Sequence, residues 1–152
     1  MRFTALTFAL TLTLAASPAL ADNLTRLETA TEQGGAQLSK FLLSRAPELA
    51  PNLPSWEWDD AYRIAGGCFL DNLQASQGGG YVEQYLTALE AYAATPVTSL
   101  EQTSNQPPLM TAPPVMAAMQ GCGIQQIVMK RMTDSGLMGA MMNEAMMQKL
   151  DG

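Results

Sequence analysis

The sequence predicts an all-α protein, a small bundle of four to five helices with one interhelical disulfide. Apolar residues recur at alternating spacings of three and four along most of the chain, which is the period of amphipathic helices. No segment shows the sustained alternation of apolar and polar residues that is typical of a half-buried strand. The two cysteines, Cys68 and Cys122, follow an N-terminus with the features of a secretory leader, and this combination predicts a disulfide.

The first 21 residues predict export. Arg2 precedes an uncharged apolar run over residues 3–16, and residues 17–21 end in Ala-Leu-Ala, a small-residue cleavage pattern. The run is too short for a permanent membrane span, and Pro18 favours extended backbone at the cleavage site. We therefore predict a cleaved signal peptide over residues 1–21 and a single helical domain over residues 22–152. The product is expected to be exported: to the periplasm if the source is a Gram-negative bacterium, and otherwise out of the cell.

The charge balance argues against two classes of partner. The chain has 8 Lys and Arg against 14 Asp and Glu, a formal net charge of −6, which becomes −7 when Arg2 leaves with the leader. Such a chain repels phosphate backbones, so we expect no nucleic-acid binding. No part of residues 22–152 approaches the roughly 18 uninterrupted apolar residues of a membrane span, so we expect none after cleavage.

The first helix is predicted over residues 24–42. Thr25 and Glu28 form a capping-box pattern at its start. Gly34 and Gly35 disfavour an undisturbed helix interior, which predicts a kink or a close contact at that point. Residues 46–54 contain three prolines and are predicted to form an extended connector.

A second helix is predicted from a cap at Ser55 to about Gln77, and a third through residues 81–93 up to Pro96. The glycine triplet at 78–80 separates the two helices. The predicted buried face of the second helix is unusually small, and that of the third contains three tyrosines with hydroxyls reaching its edge. These faces are Ala61, Ile64, Ala65, Cys68, Asn72 and Ala75, and Tyr81, Val82, Tyr85, Leu86, Leu89, Tyr92 and Ala93.

The remaining chain is predicted to contain an exposed connector and a methionine-rich helical part. Residues 95–114 are rich in Pro, Thr, Ser, Asn and Gln, which is typical of a connector. A fourth helix is predicted over residues 113–133 and a last one over residues 137–150, divided at Ser135 and Gly136. The methionine-rich part covers residues 115–150.

The two cysteines are predicted to form a structural disulfide, because an exported chain meets an oxidising compartment. A redox-active pair is the alternative, but catalytic dithiols usually lie in a Cys-x-x-Cys turn and these two are far apart. Both cysteines are flanked by glycines, in Gly66-Gly67-Cys68 and Gly121-Cys122-Gly123. The glycines allow bridged helices to approach closely, or else mark helix ends and kinks.

Histidine is absent from the chain, which removes the commonest general base and metal ligand. Carboxylates are the remaining catalytic option, for acid and base work on a glycoside or for binding a hard cation. The alternative is that they stabilise the start of the second helix, with Asp59 paired to Arg63 four residues later. The only dense carboxylate cluster is Glu57, Asp59, Asp60 and Asp71.

Two tryptophans lie beside the same carboxylates. Trp56 and Trp58 bracket Glu57, and Tyr62 follows one turn later. The three rings are predicted either to pack a helix end against the core or to form an aromatic platform for a sugar or a peptide.

Methionine is the compositional excess of the chain. Of 11 methionines, ten lie between residues 110 and 147. They either fill a core, or form an adaptable surface for a protein or peptide, or bind Cu(I) through their thioethers. The predicted interaction surface is Met138, Met141, Met142, Met146 and Met147, and the alternative Cu(I) site is Met138, Met142 and Met146, which share one side of a continuous helix.

The sequence thus predicts an exported, soluble, non-enzymatic helical protein that binds an exported protein or peptide through its methionine-rich C-terminal surface, without a cofactor. A copper-handling protein is the alternative. A carboxylate-dependent hydrolase is the third hypothesis.

Overall fold

A computed structural model describes the backbone of residues 18–151 and the side chains of residues 21–150. Most of the predicted signal peptide, residues 1–17, lies outside the described residues. The described chain is all-α, as predicted, and contains eight α-helices and one 3₁₀ helix. They are α1 (Pro18–Arg45), the 3₁₀ helix (Pro47–Asn52), α2 (Asp60–Gln77), α3 (Gly79–Ala94), α4 (Leu100–Ser104), α5 (Pro113–Gly121), α6 (Ile124–Asp134), α7 (Leu137–Met141) and α8 (Glu144–Asp151).

Helix α1 begins earlier than predicted. Residues 18–21 are already helical, so the extended backbone expected around them is not found. Thr25 is consequently inside the helix and donates its hydroxyl to the carbonyl of Ala21 (3.0 Å), so the predicted capping box is wrong.

The predicted close contact at Gly34 and Gly35 is confirmed. The helix continues through both glycines. A Cβ on Gly34 would lie 3.7 Å from the Cβ of Ala93 in α3, and a Cβ on Gly35 would lie 2.3 Å from Cγ of Trp56. The glycine pair therefore lets one helix and one indole ring approach the α1 backbone.

The proline-rich stretch after α1 is helical and not extended. Pro47 occupies the first turn of the 3₁₀ helix, where it is tolerated, and Leu49 is buried beneath it. Burial of Leu49 in a local apolar cluster stabilises this short helix, because an isolated 3₁₀ turn is only weakly favoured on its own.

Helix α2 is capped by Asp59 and not by Ser55. The Asp59 carboxylate accepts from the backbone N–H of Tyr62 at 2.8 Å. The predicted small-residue face is also wrong, because Ile64 is 74% exposed. The buried face is shifted round the helix: it keeps Ala65 and adds Gly66 and the large residues Phe69, Leu70 and Leu73.

Helix α3 buries most of the face that the sequence predicts. Gly78 has φ +86°, a conformation that favours glycine, and there the chain leaves α2 and enters α3. Tyr85 is fully buried and packs edge to face on Phe69 of α2, with ring centroids 5.2 Å apart. Tyr81 and Tyr92 are half-buried.

The two last predicted helices are each divided. Residues 113–134 form α5 and α6, separated at Gly123, whose φ is +73°. Residues 137–151 form α7 and α8, separated at Asn143, whose side-chain oxygen accepts from the N–H of Ala145 at 3.0 Å. A Cβ at Gly123 would be strained, and the Asn143 side chain competes with the helical backbone bonds, so both breaks have local causes.

The predicted connector at residues 95–114 has structure of its own. It contains α4, whose first turn is capped by Ser99 accepting from the N–H of Gln102. Met110, near the other end, is buried. The segment therefore contains a short helix and a buried side chain, and is not an entirely exposed connector.

Two apolar clusters hold the described chain together. The main cluster joins α1, α2, α3, α5 and α6 around Phe69, Tyr85 and Val115. The second joins the end of α1 and the 3₁₀ helix to α7 and α8 around Leu42, Leu49 and Leu137. No described helix has the length and apolar character needed to cross a membrane.

The predicted Cys68–Cys122 disulfide is confirmed, with the two Cα atoms 5.8 Å apart. It joins α2 to the junction between α5 and α6. The flanking glycines do not make this approach possible, since a Cβ at Gly67 or Gly121 would meet nothing within 4 Å. Gly66 instead makes room for Trp58, whose ring would lie 2.5 Å from a Cβ there.

Candidate functional site

The five methionines of the predicted interaction surface have different environments. Met142 is 84% exposed, the highest exposure among the large apolar side chains of residues 21–150 that are exposed. Met138 and Met147 are half-buried. Met141 and Met146 pack against the second apolar cluster. Met142 is therefore the exposed member of the surface, while Met141 and Met146, also half-buried, attach it to the core.

The break at Asn143 explains this distribution. In one continuous helix, residues 138, 142 and 146 would share a side. Because α7 ends at Met141 and α8 begins at Glu144, that alignment stops between Met142 and Met146. The three thioethers proposed for Cu(I) are thus carried by two short helices and the turn between them, and Met146 packs on the core.

The 3₁₀ helix and α1 hold the C-terminal surface in position. Leu137 and Leu150 are buried, one in α7 and one in α8. Asn52 donates its side-chain amide to the carbonyl of Ser135 at 3.3 Å. Lys149 forms an ion pair with Glu48, and the hydrogen bond from Lys149 is the main reason that the pKa of Glu48 is lowered. Two buried leucines thus secure both short helices, while the ion pair is exposed and contributes little.

A second methionine-containing surface lies on α5 and α6. A shallow, mostly apolar groove runs between Tyr62 and residues of these two helices, including Met119, Val128 and Met129. Met129 is 48% exposed, and Met116, also on α5, is 39% exposed. These methionines lie in the predicted fourth helix, residues 113–133, but were not assigned to a surface from the sequence.

Trp58, just before α2, serves packing. Trp58 is buried and stacks on Tyr62, with ring centroids 4.5 Å apart. Its indole N–H donates to Thr31 Oγ1 at 2.8 Å, and its backbone N–H donates to Glu32 at 2.9 Å. Trp58 therefore docks the start of α2 onto α1 and offers no open platform.

Arg131 of α6 also binds the segment that precedes α2, at Glu57 and Asp59. Its guanidinium donates to the carbonyl of Glu57 at 2.7 Å and forms an ion pair with Asp59 at 2.9 Å. It also lies 4.9 Å from the ring centroid of Tyr62. The expected Asp59–Arg63 pair is wrong, since Arg63 pairs with Glu28 of α1.

The environment of Asp59 favours its ionised form. The hydrogen bond from the Tyr62 backbone N–H, and then that from Arg131, lower the pKa of Asp59. A general acid needs a raised pKa, so Asp59 is unsuited to that role. Asp60 and Asp71, the other carboxylates on α2, are exposed. Among the described residues, no three Cys, Asp or Glu side chains are grouped so as to hold a metal ion.

These features define a small, disulfide-bonded, all-α protein whose exposed apolar side chains are concentrated in its C-terminal third. Comparison of the chain with protein-family models, with curated proteins and with solved structures finds no match.

Proposed function

We propose that this chain is an exported, soluble, non-enzymatic interaction module that binds a protein or peptide through its methionine-rich C-terminal surface. One observation carries the proposal. Met142, in the proposed surface, is 84% exposed and is the most exposed of the large apolar side chains within residues 21–150; the other exposed ones are Ile64 of α2 and Met116 and Met129 of the separate α5–α6 surface.

Exposed methionine suits a contact surface for two reasons. An unbranched thioether side chain changes shape at little cost and is polarizable, so it adapts to partners of different outline. Covering it removes apolar area from water, which favours association. Met142, in the turn between α7 and α8, is the proposed centre, with Met138 and Met147 beside it in sequence on the two helices.

The confirmed disulfide supports export, because such bonds persist in oxidising compartments. The predicted leader at residues 1–21 supports the same location.

Site-specific photo-crosslinking in the native compartment tests the proposal. A crosslinking amino acid at position 142 is compared with one at position 64, an equally accessible apolar position on α2. We expect a discrete crosslinked species from position 142 and none from position 64. Excess wild-type protein should compete for it, and the Met142→Glu protein should compete much less. The proposal is wrong if both positions crosslink alike, or if the Met142→Glu protein competes fully.

Cu(I) titration under conditions that keep the disulfide intact tests the alternative. Tight, stoichiometric binding that is lost when Met138, Met142 and Met146 are changed to leucine would replace the interaction proposal with copper handling. Leucine keeps the apolar volume of methionine, so the same variant is expected to keep its fold.

A further inference from the structure

A cleft separate from the methionine surface lies between α1, the end of α3 and the segment after α3. Its volume is about 210 Å³. One wall is α1 around Gly34 and Gly35, where α1 approaches Ala93 of α3. Ala93 and the Trp56 indole pack where the side chains of these two glycines would be, so the three together form this part of the cleft lining.

Trp56 forms the floor at one end. Its indole lies over Gly35, so closely that a Cβ there would be 2.3 Å from Cγ of the ring. The indole N–H donates to Ser39 Oγ at 2.8 Å, which fixes the ring orientation. Trp56 is half-buried and lines the cleft, unlike the buried Trp58. The structure therefore supplies a positioned aromatic surface that faces an open volume.

The opposite wall is built around Gln102 of α4. The Gln102 side chain accepts from the backbone N–H of Thr98 at 2.9 Å and donates to the carbonyl of Pro96 at 3.0 Å. Its backbone carbonyl accepts from the Tyr92 hydroxyl at 3.4 Å. These bonds all lie within residues 92–102 and fix the segment after α3 that lines this side of the cleft.

The polar groups that line the cleft are uncharged. Among the described residues that form it there is no Asp, Glu, Lys or Arg, although the chain has a net charge of −6. The amides of Gln37, which is half-buried, and Gln106, which is exposed, line it. Thr95 and Thr103 donate their hydroxyls to backbone carbonyls and keep free acceptor capacity.

We propose that this cleft binds a small neutral polyhydroxylated molecule of about monosaccharide size. Amides offer both donors and acceptors, which is what a set of hydroxyl groups requires. The Trp56 ring offers an apolar face for the C–H side of a sugar ring. A charged ligand would lose its hydration without gaining a counter-charge. This inference is independent of the proposed protein-interaction function and uses different residues.

Titration followed by NMR tests the proposal. The probes are D-glucose, D-galactose and N-acetyl-D-glucosamine, with glucose 6-phosphate as the charged counterpart. The readout is the indole N–H signal of Trp56, assigned by its loss in Trp56→Phe. We expect a saturable shift in the millimolar range with at least one neutral sugar, and weaker or no binding of the phosphate.

Two variants on the same helix give the matched comparison. Gln37→Glu places a charge in the cleft and removes the amide donors, and it is expected to weaken binding by about tenfold. Gln33→Glu, exposed and outside the cleft, is expected to leave binding unchanged. Helical circular dichroism confirms that both variants fold. The inference is overturned if no neutral sugar gives a saturable shift, if the phosphate binds as tightly, or if both variants behave alike.

Discussion

Loss of the Cys68–Cys122 disulfide is expected to lower the free energy of unfolding by about 4 kcal/mol. The cysteines are 54 residues apart in sequence. Closing a loop of about 55 residues removes chain entropy from the unfolded state worth about 4 kcal/mol at 25 °C. The native state should keep its fold, because Phe69 of α2 and Val115 of α5 belong to one apolar cluster that does not need the bond.

Urea denaturation of the oxidised protein and of the double variant Cys68→Ala/Cys122→Ala measures this loss. With an m-value of about 2 kcal/mol/M, a loss of about 4 kcal/mol lowers the midpoint by roughly 2 M. The m-value should rise in the variant, since an uncrosslinked unfolded chain exposes more surface. Adding reductant to the double variant should not move its midpoint, which controls for effects of the reductant itself.

A loss smaller than about 1 kcal/mol would refute the loop-entropy reasoning. An unchanged m-value together with a large loss would also refute it, because the stabilisation would then come from native contacts of the sulfur atoms. The Asn72 amide, 3.1 Å from Cys122 Sγ, is such a contact. The Asn72→Ala variant of the oxidised protein is expected to change stability by less than about 1 kcal/mol, since this residue is exposed.

Three further predictions concern packing, pH and the methionine surface. Gly35→Ala should cost about 1–3 kcal/mol in urea denaturation, because its Cβ would strike Trp56, whereas Gly67→Ala, with open space around it in α2, should gain about 0.5–1 kcal/mol. Since Asp59 has a lowered pKa in the folded state, its contribution is present above its unfolded value of 3.8 and is lost as the pH falls through the folded value; Asp59→Asn should flatten the acid side of the Tm profile. Met142→Glu should change stability by less than about 0.5 kcal/mol, because the side chain is 84% exposed, whereas Leu137→Ala should cost about 2–5 kcal/mol. A Gly35→Ala protein as stable as Gly67→Ala, an unaltered acid profile, or equal losses at positions 142 and 137 would contradict the respective arguments.

The sequence predicted a helix correctly where its apolar residues recur with the helical period along a single face. The face of α3 through Val82, Tyr85, Leu86 and Leu89 is buried as expected, because a 3.6-residue period can be seen directly in sequence. The disulfide was predictable for a different reason, since a chain with a predicted secretory leader and two cysteines has one possible intramolecular pair.

The contacts around the start of α2 were not predictable in the same way. Asp59 and Arg63 have the spacing of a helical ion pair, yet each pairs with a residue distant in sequence, Arg131 and Glu28. Exposed ion pairs differ little in free energy, so the tertiary placement of α1 and α6 decides which ones form. Gly66 likewise lies beside Cys68 in sequence, but the neighbour that needs its missing side chain is Trp58.

The methionine surface shows how a helix break changes a functional prediction. Methionine is equally suited to a core and to an interface, so its number alone does not assign it to either. A continuous helix over residues 137–150 would give Met142 and Met146 the same side, and the Asn143 break separates them. One then packs on the second apolar cluster and the other is 84% exposed. Asn143, a polar residue with no predicted role in binding, therefore lies at the break that sets these two methionines in different helical segments, and the Cu(I) titration with the leucine variant decides whether the three thioethers still bind a metal.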